Sequence, residues 1–225
     1  MNKFLELNNI SKTFETSKKL KVIKNLSYNF KKGKIYSLMG PSGSGKSTLL
    51  NLISLIDKPS NGLIKFNKHQ INYDAKEQND QLRAKKIGIV YQQNNLLPDF
   101  TSLENIYLAN LSINNNKNLA ISKARQLLKK IGLSNRADHY PSQLSGGEAQ
   151  RIAIARAIIN DPEIILADEP TGSLDMKTAK IIFNLLKDQK RSNRLIIFAT
   201  HNRFFGNKAD CLLEILDGNI KSSNG

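Results

Sequence analysis

The chain has 225 residues, with 34 Lys or Arg against 19 Asp or Glu for a formal charge of +15, and it carries one cysteine and no tryptophan. That length suits one large domain or a domain with a lobe; the lack of any apolar run of about 18 residues excludes a membrane-spanning helix, and the lone Cys211 excludes an intrachain disulfide. The basic excess fits nucleic acid, anionic lipid headgroups or a mere composition bias, because net charge bears on association rather than on fold.

The amino-terminal stretch MNKFLELNNISKTFE is broken by charges and lacks the form of a signal peptide. The segment Lys18 to Lys34, KKLKVIKNLSYNFKKGK, alternates lysine with apolar residues and predicts a half-exposed strand pair. KIYSLMG, Lys34 to Gly40, is a short apolar run closed by glycine, the form of a buried strand, and STLLNLISLI after it has helical length. Three further runs, KKIGIVYQ (Lys85 to Gln92), EIILADE (Glu163 to Glu169) and RLIIFATH (Arg194 to His201), are β-branched and uninterrupted. Such runs predict strands covered on both faces, as in a parallel sheet. Ser102 to Leu133 reads as two helices split by the polar SINNNKN, and with no strand signal it predicts a helical lobe inserted into the sheet domain. MKTAKIIFNLLKDQK places Ile181, Ile182, Leu185 and Leu186 on one apolar helix face. The closing SSNG is expected to fray. No internal repeat or low-complexity segment is present.

GPSGSGKS, Gly40 to Ser47, fits G-x-x-x-x-G-K-[ST] between a predicted strand and a predicted helix. Gly40, Pro41, Ser42, Gly43, Ser44 and Gly45 would wrap backbone N–H groups around phosphates, and the helix that continues through Thr48 adds its positive end. Lys46 is expected to reach the β- and γ-phosphates, and the Ser47 hydroxyl to ligate Mg²⁺. EIILADEP supplies adjacent acids at the carboxyl end of a strand, where α/β folds bind ligands. Asp168 suits Mg²⁺, and Glu169 suits a base that polarises the attacking water. His201 and Gln92 close two other strands in the same way, and His201 is expected to contact the γ-phosphate or that water. His69 and His139 lack such a context.

A second phosphate-ready feature is QLSGGEAQRIAIARA, Gln143 to Ala157. Ser145 and Glu148 have the spacing of a capping box, while Gly146 and Gly147 strip side chains from the approach to a helix end. Because the first glycine loop already surrounds its own nucleotide on one side, this second donor set is expected to serve the nucleotide of another chain. That points to a closed head-to-tail pair. GSLD, Gly172 to Asp175, lies between the acids and the next helix and is placed to connect the two sites.

Together, and in this order, these motifs resemble those of the nucleotide-binding subunit of ATP-binding cassette (ABC) transporters, across nearly the whole chain. The resemblance puts Walker A on Gly40 to Ser47, the Q-loop on Gln92, the signature on Leu144 to Glu148, Walker B on Ile164 to Asp168 with catalytic Glu169, the D-loop on Ser173 to Asp175 and the switch histidine on His201. It implies a P-loop NTPase fold of the α/β class: a RecA-like parallel-sheet core, an N-terminal antiparallel β-subdomain and an inserted α-helical subdomain. Residues 1–225 would form one nucleotide-binding domain, with the helical insertion at about 93–158. It further implies ATP and Mg²⁺ as cofactors, Lys46, Gln92, Glu169 and His201 as catalytic residues, and Ser47, Gln92 and Asp168 at the metal. Phe14 stands where an aromatic residue would stack on adenine, and Asp175 would join the nucleotide-binding set.

A finer resemblance, carried by YQQNNLLPDFTSLENI, LADEPTGSLD and LEILDGNI, is to the ATPases that release lipoproteins from the inner membrane. It implies a homodimer sandwiching ATP, two inner-membrane partner subunits, no nucleic acid, and a peripheral place on the cytoplasmic face of that membrane. Macrolide and peptide exporters and the cell-division ATPase share much of the pattern. A DNA-associated relative would carry long coiled coils that Gln93 to Gln143 do not encode. Leu96, Leu97, Pro98 and Phe100 would either line a groove for a partner helix or be buried in the lobe. Two residues depart from the family pattern: Asn202, where an acid is usual, and Ala149, where a larger polar residue is frequent.

Overall fold

The structure, a computed structural model, describes residues 3–15 and 19–223. In chain order the elements are β1 (Leu5–Glu15), β2 (Lys19–Phe30), β3 (Ile35–Met39), α1 (Lys46–Ile53), β4 (Asn61–Phe66), β5 (His69–Gln70), α2 (Lys76–Lys86), β6 (Ile87–Val90), α3 (Ser102–Leu111), α4 (Lys117–Lys130), α5 (Gly146–Ile158), β7 (Ile164–Asp168), α6 (Met176–Lys187), β8 (Leu195–Ala199), α7 (Arg203–Gly206), β9 (Cys211–Leu216) and β10 (Asn219–Ser223). Packing divides the chain into two compact units: the residues up to Asp80 together with those from Lys190 onward, and Gln81–Gln189.

In the first unit, β2, β1, β4 and β5 form an antiparallel sheet in that order. β2 buries Ile23, Leu26 and Phe30 and leaves its lysines toward water, as a sheet with one covered face requires, with the alternation shifted by an irregularity at Asn25, φ 49°. The expected strand pair within Lys18 to Lys34 is therefore one strand, whose partner is β1. Asn25 only bulges the strand, and the chain turns at Gly33, which takes a positive φ of 75°. Lys18 lies outside the described residues. Phe30 and Tyr36 meet edge to face at 4.9 Å beneath this sheet. The second sheet of the unit is built around β3, flanked in parallel by β8 and β9, with β10 antiparallel to β9. Every residue of β3 and β8 is buried, which explains their unbroken apolar character. Ser222 and Ser223 pair with Leu213 and Leu212 and do not fray; Asn224 and Gly225, the rest of the expected frayed tail, lie outside the described residues.

In the second unit, β6 and β7 run parallel, from Ile87 opposite Ile164 to Val90 opposite Ala167. Lys85 and Lys86, expected in that strand, instead close α2, where cations suit the negative helix end. The helical lobe holds its own core: Leu103, Ile106 and Tyr107 of α3, Ala120, Ala124 and Leu128 of α4, and Ile152 and Ala155 of α5. Alanines at the contacts let helices approach closely, so the larger side chains fill what remains. The buried face of α6 is Ala179, Ile182, Phe183 and Leu186. Ile181, expected on that face, is 45% exposed, because the stripe runs at i, i+3, i+4 and i+7 from Ala179 and Phe183 takes the position beside it. Among the described residues no helix is long and apolar enough to cross a membrane.

Candidate functional site

In the first unit the chain leaves β3 into a glycine loop whose backbone side chains cannot copy. Gly40 has φ 149°, and a Cβ there would lie 2.3 Å from the Ile215 carbonyl oxygen. Gly45, the residue that starts α1, has φ 102°, and its Cβ would meet Ile23 Cδ1 at 2.8 Å. At Gly43, by contrast, a Cβ would meet nothing within 4 Å: the loop is open at its crest. The first helical bond runs from the Leu49 N–H to the Gly45 carbonyl, at 2.8 Å. No side chain caps α1, and its first turn carries no acid, so its leading N–H groups are left for an outside anion. The Ser44 hydroxyl is buried in the same loop without a hydrogen-bond partner. Lys46 is 8% exposed and donates through Nζ to the carbonyls of Gly40 (2.9 Å) and Pro41 (3.0 Å), which holds its charge inside the loop. Beside the loop lies a cavity of about 500 Å³ lined by Gly40, Pro41, His201, Arg203, Asn207 and Glu214. His201, just past the end of β8, is thus brought to the start of the loop.

Asn202 resolves one departure from the family pattern. Its side chain accepts from the Phe204 N–H at 2.9 Å as the cap of α7, a task that an aspartate would perform equally. Phe14 is 38% exposed near the end of β1, opposite Leu20, and the Lys12 ammonium sits 5.0 Å from its ring centre. One face of a ring held in this way can still stack on a ligand.

In the second unit Asp168 ends β7, half-buried, and Glu169 follows with a positive φ of 44°. For a non-glycine residue that conformation is strained, and such strain is retained where the surroundings fix a side chain's direction. A turn follows, with the Gly172 N–H donating to the Glu169 carbonyl at 3.0 Å. A Cβ on Gly172 would lie 3.6 Å from both Gln92 Nε2 and Glu169 Cβ, so the two predicted catalytic residues converge on this glycine.

The amino end of α5 is a complete capping box. The Glu148 N–H donates to Ser145 Oγ at 3.3 Å, while the Ser145 N–H and hydroxyl both donate to Glu148 Oε2 at 2.9 Å. Glu148 Oε1 accepts from Arg136 Nε at 2.9 Å. The Ser145 backbone bond and the Arg136 guanidinium together hold the Glu148 pKa at about 2. The cap takes the third N–H of the helix and leaves those of Gly146 and Gly147 to other partners; both glycines line a hollow of about 310 Å³ together with Ser173, Asp175 and Thr178. Predicted residues from the signature and the D-loop therefore share one hollow. Asp175 is committed locally: it caps α6 by accepting from the N–H groups of Lys177 (2.9 Å) and Thr178 (3.1 Å) and from the Thr178 hydroxyl. These bonds, the Thr178 hydroxyl first, lower its pKa. Gly147 has a reason that the sequence did not reveal, since a Cβ there would come within 2.4 Å of Thr178 Cγ2. Ala149 is buried, which explains a small apolar residue at that place.

Three residues of this unit escaped the sequence reading. Arg156 of α5 donates to the carbonyls of Asn94 (2.8 Å) and Asn95 (2.7 Å), and Gln150 donates to that of Tyr91 at 3.2 Å. From α3, Asn105 donates to the carbonyls of Leu97 (3.0 Å) and Phe100 (2.9 Å) and accepts from the Leu97 N–H. The loop after Gln92 is thereby fixed by its main chain, with Leu97 44% and Phe100 39% exposed and Pro98 outward, while Leu96 packs on the lobe core. The one available signal was an arginine within the apolar run IAIARAI.

The fold and the first loop define a P-loop nucleotide-binding protein. The family model described as ABC transporter matches residues 23–172. The chain is 41% identical to the lipoprotein-releasing system ATP-binding protein LolD of Rickettsia bellii, with 99% of each chain covered. It is 42% identical to the protein of the same name from Wigglesworthia glossinidia brevipalpis, over 98% of this chain and 97% of that one. Among solved structures it resembles an ATP-binding cassette captured as a dimer in a post-hydrolysis state with ADP and phosphate, with a TM-score of 0.91, 36% identity and 98% of each chain covered. The chain belongs to the ABC transporter family, as one of its ATPase cassettes.

Proposed function

We propose that two copies of residues 1–225, each acting as one nucleotide-binding domain, close head to tail around two ATP molecules. The pair then drives two inner-membrane partner subunits in lipoprotein release, working peripherally at the cytoplasmic face. The observation that carries this reading is the pair of helix ends. The α1 end lies open in a glycine loop with the buried Lys46 at its base, and the α5 end has two N–H groups left uncapped beside a hollow. The dimeric ADP-and-phosphate state of the solved relative and the names of the curated relatives support the same arrangement.

Lys46 would exchange its carbonyl partners for phosphate oxygens, bonds between opposite charges replacing bonds from a charge to neutral carbonyls. Glu169, its direction fixed by its strained backbone, would orient and deprotonate water, with His201 holding the γ-phosphate side. Phe14 offers its free ring face to adenine. Ser47, Gln92 and Asp168 present hard oxygen donors, which suits Mg²⁺. Mg²⁺ held by few protein ligands ordinarily shares phosphate oxygens, and this set contains a single carboxylate. Bound there, Mg²⁺ supplies charge neutralisation on the phosphates. The exposed Leu97, Pro98 and Phe100, on a loop that begins at Gln92, offer a partner subunit an apolar contact.

The test is a crosslink. In a Cys211→Ser, Glu169→Gln background, where turnover falls by about 10²–10⁴-fold, cysteines replace Ser42 and Gly146. ATP is expected to produce a disulfide between chains, and ADP is not. A failure to crosslink under ATP would refute the shared-nucleotide arrangement.

A further inference from the structure

The carboxylate of Glu148 poses an electrostatic problem for the proposed role of α5. It lies one hydrogen bond from Ser145 Oγ, at the end where a phosphate is to bind. An anion bonded to Ser145 would thus sit roughly 5–6 Å from it, two hydrogen-bond lengths away. Furthermore, the Ser145 hydroxyl proton points at Glu148 Oε2 and is not available to a phosphate while it stays there. A glutamine in the same place would keep the capping box without the charge. The chain carries a countermeasure: Arg136 Nε reaches Glu148 Oε1 at 2.9 Å, on the carboxylate oxygen that Ser145 does not use. Arg136 approaches from the turn after α4, and neither it nor Glu148 lines the hollow that Gly146 and Gly147 line.

We infer that Arg136 is a positioning residue for the phosphate at the α5 end, acting through Glu148. Its guanidinium cancels the charge that would repel the anion. By drawing the carboxylate's electron density toward Oε1, it lets the Ser145 hydroxyl turn from Glu148 to the phosphate. This inference rests on the proposed binding of ATP at that end. It differs from a purely structural ion pair in one respect: the harm of losing Arg136 must come from the charge of Glu148.

ATP turnover of the full chain, measured against ATP concentration in Arg136→Met, Glu148→Gln and the double variant, tests it. Arg136→Met is expected to raise half-saturating ATP roughly 3- to 10-fold, as an unpaired charge at that distance would in water-like surroundings. The increase should shrink by at least half when the salt is raised from about 0.05 M to 0.5 M, where the screening length falls to a few ångströms. Adding Glu148→Gln should restore half-saturation to within about two-fold of the parent. A defect that is independent of salt and survives Glu148→Gln would overturn the inference, as would the absence of any defect. Should Arg136→Met fold poorly by circular dichroism, Arg136→Gln, which keeps the polar contact, takes its place. Ser145→Arg separates the two levels: if it leaves turnover intact, the α5 end is not a phosphate site at all, whereas its loss together with a normal Arg136→Met sinks only the role of Arg136.

Discussion

The two helix ends solve the same problem in opposite ways. At α1 a left-handed glycine stands in for a cap, no side chain competes for the leading N–H groups, and no acid sits in the first turn. At α5 a serine and a glutamate fill the capping positions and leave only the first two N–H groups uncapped. The first end gives up local stability to bind an anion from several sides; the second keeps its cap and offers a smaller set of donors. The contrast suits an end that retains its nucleotide and another that engages only when a second molecule arrives.

The largest expected effect separates these two duties. Lys46→Met removes a charge-assisted bond and should weaken ATP binding by isolated subunits roughly 10- to 100-fold. Ser145→Arg, measured by equilibrium binding of a fluorescent ATP analogue, should leave that first binding unchanged while hydrolysis is lost. Equal binding defects in the two variants would erase the distinction. Next in size is a pair of glycine replacements. Gly147→Ala drives a methyl into Thr178 and should cost about 1–3 kcal/mol in urea denaturation. Gly146→Ala, whose Cβ would meet Leu174 at an ordinary 3.6 Å, should gain up to about 1 kcal/mol. The methyl at Gly146 also narrows the approach to the helix end, so half-saturating ATP should rise even as stability improves. The smallest effect is with pH. The pKa of Glu148 is held at about 2, below its unfolded value, so its contribution to stability is complete above the ordinary carboxylate range and disappears as pH falls through about 2. Between pH 5 and 8 Glu148 should therefore add no pH dependence to the melting temperature, its contribution being constant there. Glu148→Gln should flatten the decline below about pH 4.

Legibility in the sequence followed the same divide. The strand, glycine loop and helix of the α1 end could be read from the sequence, because their residues serve one local geometry between a buried strand and a helix. The α5 end was read correctly as a capping box, but Gly147 was assigned to ligand access when its small size is demanded by Thr178, more than 30 positions away in the sequence. Periodicity located α6 yet misjudged Ile181, since three apolar residues in a row blur the edge of a stripe. It missed α2 altogether, which buries only Asn79 and so carries no apolar pattern; its start is fixed instead by local bonds, including the Asn79 amide to the Asn72 carbonyl at 2.8 Å. Asn202 and Ala149, puzzling as letters, became ordinary once their surroundings were known, one as a helix cap and the other as a core residue.

The grip on the loop after Gln92 has an evolutionary corollary. Arg156, Gln150 and Asn105 seize peptide carbonyls, which every amino acid supplies alike. The exposed side chains of Leu97, Pro98 and Phe100 are therefore at liberty to mutate without slackening the backbone that displays them, whereas Leu96 is tied to the lobe core. On the proposed partner contact, surface changes alone would re-address such a cassette to a different membrane protein, its engine left untouched.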